Sequence, residues 1–144
     1  MLVENFAEKF ATARPSDELG VILSQSSYLA QKLGSSFVTT GHLLRTLFVY
    51  QDKEIKWFLG GQRFDHGKFL HQVEESLPKS EQPFEGALKY NDLAEKTLEK
   101  AITICNKEGA KSLTPLHLLR GMLNTHEGSA WAILYQNGVR DLKL

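Results

Sequence analysis

The sequence is poor in the residues and runs that mark secreted, membrane-bound or nucleic-acid-binding proteins. Its single cysteine, Cys105, cannot form an internal disulfide. No stretch approaches about 18 uninterrupted apolar residues, and no basic flank leads into a signal-like apolar run. Formal net charge is zero, with 17 Lys and Arg against 17 Asp and Glu, so composition predicts no basic face. We therefore expect a protein of the cytoplasm or an equivalent reducing compartment, without nucleic-acid or membrane partners.

Motifs of catalysis and of cofactor or metal binding are also missing. The sequence contains no GxxxxGK[ST], no HExxH, no CxxC and no GxSxG. Cys105 falls on the apolar face of a predicted helix, which favours a small core residue over a nucleophile. We expect no cofactor, no metal and no enzymatic activity.

What the sequence does contain is an internal repeat with an offset of 75 residues. The same offset relates many helix-forming positions, which is typical of two copies of one helical unit. Two copies are too few for an open solenoid, which needs about three, so we predict a closed pair with pseudo-two-fold symmetry. The matching residues are Thr39 with Thr114, His42 with His117, Leu43 with Leu118, Leu44 with Leu119, Arg45 with Arg120, Asp17 with Asp92, Leu23 with Leu98, Lys32 with Lys107, Gly34 with Gly109 and Leu59 with Leu134.

Helix start and stop signals outline the elements of each unit. Ser16, Asn91 and Thr114 are expected N-caps, because their side chains can accept a hydrogen bond from the first helical turn. Gly34 and Gly109 are expected to end the long first helix of each unit. Thr39 or Thr40 is expected to cap the helix equivalent to that of Thr114.

These signals predict an all-α fold of two pseudo-two-fold-related four-helix repeats. Repeat 1 spans about 15–77, a linker about 78–90, and repeat 2 about 91–144. Helical spacing of apolar residues over 2–12 adds an extra N-terminal helical segment. We expect the whole chain, 1–144, to form a single domain.

Two equivalent histidines, His42 and His117, are candidate functional residues. They could form a two-histidine site across the pseudo-dyad, or each imidazole could bond locally and pack under a loop. The second interpretation is favoured, because a metal site needs more ligands than these two.

Two arginines and two tryptophans also allow two interpretations each. Arg45 and Arg120 are either ion-pair residues, the favoured interpretation, or anion ligands. Trp57 and Trp131 are either packing residues or anchors for a partner.

The repeated motif resembles one known family. VTTGHLLRTL at 38–47 and LTPLHLLRGM at 113–122 are similar to the motif V-G-T-E-H-L-L-x-x-L of the Clp N-terminal domain. This paired-repeat module precedes the ATPase modules of Clp-family AAA+ unfoldases, and the resemblance covers roughly 15–144. It implies a non-catalytic all-α domain that docks adaptor proteins or unfolded substrates for the Clp ATPase and protease machinery. The alternative is a stand-alone accessory protein that regulates Clp complex assembly or adaptor access.

The resemblance also implies where partners bind. In the branch of the family that reads phosphoarginine, a glutamate precedes each histidine, and its carboxylate can bind the guanidinium. Here those positions are Gly41 and Leu116, so we predict that phosphoarginine binding is absent or very weak. Leu116 instead favours an apolar peptide or helix. The candidate partner-binding residues are Thr39, Thr40, Gly41, Thr114 and Leu116 in the cleft between repeats, with Phe84 and Tyr90 in a second apolar patch.

Overall fold

The computed structural model describes residue 3 and residues 6–63 and 65–141. Within them the regular secondary structure is almost entirely helical, which confirms the all-α class. A 3₁₀-helix, Ala7–Ala11, precedes seven α-helices and two very short strands. The α-helices are α1 Asp17–Lys32, α2 Thr40–Val49, α3 Lys53–Gly60, α4 His66–Ser76, α5 Asp92–Lys107, α6 Pro115–Leu123 and α7 Gly128–Gln136; the strands are β1 Phe37–Val38 and β2 Lys89–Tyr90.

The long helices α1 and α5 begin and end as their sequences predict. Ser16 Oγ accepts a hydrogen bond from the Leu19 backbone N–H (3.1 Å), and Asn91 Oδ1 does the same for α5 (2.9 Å). Gly34 and Gly109 follow the two helices with φ of 82° and 64°. A residue without a Cβ adopts this left-handed conformation at little cost, so the chain turns away at the same point in both repeats.

The short parallel pairings between the repeats display the pseudo-two-fold relation. In the β1–β2 pair Val38 lies opposite Tyr90, and an isolated bridge places Leu113 opposite Pro15. The 75-residue offset exchanges these two pairs. The amide that follows Tyr90 donates to the Val38 carbonyl (3.2 Å), and the amide that follows Pro15 donates to the Leu113 carbonyl (2.8 Å). Each repeat thus contributes the same strand-like contact to the other.

The core lies around α2 and α6, which the other helices cover. Every residue of α6 is buried, and so are eight of the ten residues of α2. Gly121 of α6 permits a close approach to α5, because a Cβ built there would lie 2.7 Å from the Thr97 carbonyl oxygen and 3.0 Å from the Ala101 amide nitrogen of α5. The apolar faces of the repeated helices therefore meet in one shared interior.

The N-terminal helical segment is a 3₁₀-helix in its described part. The expected segment over 2–12 contains the five-residue helix Ala7–Ala11, and Val3 bridges to Leu88; residues 1, 2, 4 and 5 lie outside the described residues. Phe6 is 2% exposed and meets the Tyr90 ring edge-on at 5.8 Å between centroids. A run this short cannot offset the cost of helix nucleation, so burial of its aromatic side chain decides its conformation.

The two repeats also differ at their ends. Repeat 1 has the four predicted helices, whereas the described part of repeat 2 has three, α5, α6 and α7. The counterpart of α4, which begins at His66, would begin at Asp141, where the described residues stop. The predicted fourth helix of repeat 2 therefore falls outside them.

Candidate functional site

His42 and His117 each close the first turn of a central helix. The Thr39 backbone N–H donates to His42 Nδ1 (3.0 Å), and the His42 backbone N–H donates to Thr39 Oγ1 (3.4 Å). Thr114 and His117 repeat both bonds at 2.9 and 3.3 Å. This is a capping box in which an imidazole replaces the usual Glu or Gln. The structure thus places each histidine in local bonding rather than in a shared two-histidine site.

The outer imidazole nitrogens of the two histidines have different surroundings. An Nδ1 that accepts from the backbone leaves the proton of a neutral ring on Nε2. His117 Nε2–H therefore donates to Glu108 Oε1 (3.2 Å). His42 Nε2 is buried without a hydrogen-bond partner among the described residues. Leu33 stands 75 positions before Glu108, so repeat 1 has no carboxylate there. Burial lowers the pKa of His42 to about 4.

Both repeated arginines form ion pairs. Arg45 Nε donates to Glu74 Oε1 of α4 (3.0 Å). Arg120 is buried and donates to Glu108 Oε2 (2.6 Å) and to Asp141 Oδ2 (3.1 Å). The Arg120 hydrogen bond is the main reason that the pKa of the Glu108 carboxyl falls below its usual value. Two carboxylates on one buried guanidinium leave its charge fully paired within the domain.

An apolar cavity of about 550 Å³ lies between α3 of repeat 1 and α6 of repeat 2. We call it the α3–α6 groove. Trp57 stands at its rim with 70% of its surface exposed, and Leu116 forms part of its wall. Mostly apolar walls with a few polar groups are typical of sites that bind other molecules. The groove is lined by Lys56, Trp57, Phe58, Gly60, Gly61, Gln62, Leu116, Arg120 and Asp141.

The seven residues predicted to bind partners do not share one cleft. Leu116 lines the α3–α6 groove, whereas Tyr90 lines a smaller cavity of about 360 Å³ between the N-terminal segment and α1. The other five line neither cavity. Thr39 and Thr114 are N-caps, Thr40 and Gly41 begin α2 in the interior, and Phe84 packs half-buried against the core. Partner binding by these residues stays a prediction.

The second apolar patch is more buried than its sequence suggests. Tyr90 is 4% exposed because Phe6 covers it, and burial raises its pKa to about 12. Phe84 lies close to α1, where its backbone N–H donates to the Gln31 carbonyl (2.9 Å). The linker therefore lies against repeat 1.

Gly41 and Leu116 occupy equivalent positions in different surroundings. A Cβ built on Gly41 would lie 2.9 Å from Leu77 Cδ2, so the Leu77 side chain fills the space beside it. Leu116 is 7% exposed and faces the α3–α6 groove. Neither position supplies a charge.

Groups of catalytic or metal-binding type are sparse in the part of the chain that the structure describes. It contains no group of three His, Cys, Asp or Glu side chains able to hold a metal ion. Cys105 is buried in the core, as predicted, and burial raises the pKa of its thiol. None of the described helices is long and apolar enough to cross a bilayer.

Sequence and structure comparisons agree on one family of domains. Residues 89–144, which cover repeat 2, match the model of the Clp repeat (R) N-terminal domain. No curated protein matches the chain in sequence.

Solved structures extend the match over both repeats. The N-terminal domain of Hsp104 from Candida albicans is similar with a TM-score of 0.71 and 19% identity, over 85% of this chain and 81% of that one. The chain has the Clp N-terminal domain fold. The N-terminal domain of the caseinolytic protease associated chaperone ClpD from Arabidopsis thaliana is similar with a TM-score of 0.63 and 22% identity, over 85% and 84%. A structure from a malarial protein secretion system is similar with a TM-score of 0.73 and 16% identity, over 87% and 85%.

Within this Clp N-domain fold, sequence reasoning missed most of the α3–α6 groove. It identified Leu116 as a candidate binding residue, and it left two interpretations open for Trp57, a packing residue or an anchor for a partner. It did not single out Lys56, Gln62 or Asp141. The sequence did contain a signal that Trp57 is exposed. Its neighbour Lys56 indicates a solvent-facing side of α3, and the helix ends soon after at Gly60-Gly61. The pairing of α3 with α6 depends on how the two repeats pack.

Proposed function

We propose that this chain is a non-catalytic recognition domain that docks protein partners in the α3–α6 groove. The partners are adaptor proteins or unfolded substrates of a Clp-type ATPase and protease system. The single thiol of Cys105, which is buried and unpaired with another cysteine, suits a reducing setting such as the cytoplasm.

The observation that carries this proposal is an exposed tryptophan beside an apolar cavity. Trp57 is 70% exposed, and the groove next to it has Leu116 in its wall. Tryptophan is enriched among residues that dominate protein–protein binding, because it buries a large apolar area with little loss of side-chain freedom. Of the charged residues that line the groove, Arg120 and Asp141 pair with each other, and Arg120 also pairs with Glu108. The groove therefore favours apolar segments of polypeptide over charged small molecules.

A photo-crosslinking experiment tests the proposal. A benzophenone amino acid replaces Lys56, which lines the groove, and in a matched variant replaces Glu54, which is exposed on the same helix outside the groove. Each variant is irradiated with a reduced, alkylated protein that cannot fold and with the same protein in its native form. Crosslinks at position 56 to the unfolded form, well above those at position 54, support the proposal. Equal labelling at both positions contradicts it.

A stand-alone role in Clp assembly is the second candidate function. In that role the N-terminal segment would be the contact with the Clp complex. Phe6 and Ala13 of this segment are buried in the domain, while Lys9 pairs with Glu99 on α5. A pull-down with the chain as bait distinguishes the two roles. Near-stoichiometric recovery of Clp ATPase or peptidase subunits favours the assembly regulator, whereas recovery of small adaptor-like proteins without the ATPase favours the recognition domain.

A further inference from the structure

The outer side of α1 carries a stripe of exposed residues whose charges are confined to its two ends. At 3.6 residues per turn, the stripe covers about 100° of the helix surface. Val21 and Tyr28 within it are 50% and 60% exposed. We call this stripe the α1 face, and its members, all exposed, are Asp17, Val21, Ser24, Gln25, Tyr28 and Lys32.

The composition of the α1 face is typical of a protein–protein contact. Its centre is uncharged and contains a tyrosine, one of the residue types enriched at the centre of interfaces. Its charged residues, Asp17 and Lys32, stand at the rim, and neither has an ion-pair partner among the described residues. Both charges are therefore available to a second molecule.

The equivalent face of α5 shows that the fold itself does not require apolar side chains at these positions. Lys96 is the counterpart of Val21, and it pairs with Glu127 within the domain (2.7 Å). Thr103 is the counterpart of Tyr28 and is also exposed. The two repeats keep the same helix with a polar surface in one and an uncharged, partly apolar surface in the other. Val21 and Tyr28 are therefore free to serve a contact outside the domain.

The α1 face is symmetric about the midpoint of its helix. Asp17 and Lys32 are the first and last residues of α1. Val21 stands as far from the first residue as Tyr28 stands from the last. Two such helices packed antiparallel about a two-fold axis therefore place each Asp17 opposite a Lys32 and each Val21 opposite a Tyr28. A two-fold interface requires this kind of self-complementarity, because the same patch serves both subunits.

We infer that the α1 face joins two copies of this chain as an antiparallel helix pair. Opposite charges then meet at both ends, and two contacts between Val21 and Tyr28 lie between them. The uncharged Ser24 and Gln25 lie nearest the two-fold axis, so no like charges meet there. A parallel pair is disfavoured, because it would set the two aspartates against each other and the two lysines against each other.

The size of α1 sets the expected strength of this dimer. A helix of 16 residues is about 24 Å long. One helix pair of this length lies at the low end of specific interfaces, below about 1,200 Å² of buried surface. We therefore expect a reversible dimer with a Kd of about 10–100 µM.

The dimer contact is separate from the α3–α6 groove and goes beyond the proposed function. The residues that line the groove do not include any residue of α1. A dimer therefore carries two grooves, and a polypeptide with two binding segments binds it more tightly than it binds one copy.

Sedimentation equilibrium of the intact chain, from about 10 µM to about 500 µM at low salt, tests the inference with charge variants. Lys32→Glu alone sets the introduced acid against Asp17 at both ends, and Asp17→Lys alone sets the introduced base against Lys32. Each variant should dimerise about tenfold more weakly than the natural protein. An equimolar mixture of the two restores opposite charges at both ends and should associate about as tightly as the natural protein. Partial unfolding of either variant would not produce this rescue.

Three alanine variants test the apolar part of the contact in the same assay. Tyr28→Ala should weaken the dimer at least about tenfold, because the tyrosine is used twice. Thr103→Ala is the matched control at the equivalent exposed position of α5, and it should leave the dimer unchanged. Trp57→Ala, at the rim of the groove, should also leave it unchanged. Far-UV circular dichroism verifies that all variants are folded.

Four outcomes overturn the inference. The first is a monomer throughout the concentration range, and the second is a dimer that Tyr28→Ala does not weaken. The third is a mixture of the charge variants that associates no better than either alone. The fourth is loss of the dimer in Trp57→Ala, which would place the contact in the groove.

The dimer and the docking proposal fail separately. A monomeric chain whose position 56 still captures unfolded protein refutes the dimer and leaves docking in the groove supported. A dimer that passes the charge-variant test, with equal labelling at positions 54 and 56, supports the α1 contact and contradicts docking in the groove.

Discussion

His42 makes the stability of this domain depend on pH in a way that one substitution should remove. The imidazole is buried, and its pKa in the folded protein is about 4 instead of 6.5. The protonated form is therefore much more favourable in the unfolded chain than in the fold. His42→Asn removes the titrating group, while the amide oxygen can still accept the hydrogen bond that Thr39 donates to Nδ1.

The size of the effect follows from the two pKa values. Above about pH 7 both states are neutral at this residue, and His42 costs nothing. As the pH falls below 6.5, His42 binds a proton in the unfolded chain but stays neutral in the folded protein. The free energy of unfolding therefore falls progressively until about pH 4. The loss is about 2 kcal/mol at pH 5 and about 3.4 kcal/mol below pH 4, at about 1.4 kcal/mol for each pH unit of difference.

Urea denaturation followed by far-UV circular dichroism measures this loss. Free energies of unfolding are extrapolated at several pH values between about 7.5 and 5 for the natural protein and for His42→Asn. The natural protein should lose about 2 kcal/mol more than the variant over this range. His71→Asn is the matched control, since it makes the same substitution at a histidine exposed on the surface of α4. Parallel pH profiles for the natural protein and His42→Asn would show that His42 ionises normally and would refute the reasoning.

Three further predictions concern helix packing and the groove. In the same denaturation assay, Gly121→Ala should lower the free energy of unfolding by about 1–3 kcal/mol, because the new Cβ lies 2.7 Å from the backbone of α5. Gly20→Ala should raise the free energy of unfolding by about 0.5 kcal/mol, because the space around Gly20 is open and alanine favours the helix. Leu116→Glu should reduce photo-capture of unfolded protein at position 56 about tenfold, because a charge then faces the apolar cavity; unchanged capture removes Leu116 from the site. Calorimetry should detect no tight phosphoarginine binding by the natural protein, because neither Gly41 nor Leu116 supplies a carboxylate for the guanidinium; tight binding would contradict this.

The predicted boundaries of the helices rest on local chemistry, and most of them are observed. Ser16 and Asn91 cap α1 and α5 because an N-cap side chain bonds to a backbone amide three residues away. Pro115 begins α6, where its missing N–H costs no helical hydrogen bond. Interactions of this range are fully contained in a short stretch of sequence, and a constant offset then implies two equivalent units.

The burial and the contacts of individual side chains are harder to predict from a short stretch of sequence. Tyr90 is interior because Phe6, 84 positions away along the chain, packs on its ring. Trp57, one of the largest apolar side chains in the sequence, stands mostly in solvent. His42 and His117 have the same local motif, yet the second meets Glu108 and the first has no such partner. Each outcome depends on how separate elements of the fold pack against one another.

By itself, the sequence determined that this chain is an all-α pair of repeats, because caps, glycine stops and helical periodicity act within a few residues and recur 75 positions apart. The tertiary structure alone decided which helices meet around each symmetric surface. α4 lies over α2 and α7, whereas α6 and α3 border the groove. These neighbours are set by packing between elements far apart in the chain, where burial of apolar area and pairing of charge depend on the whole fold.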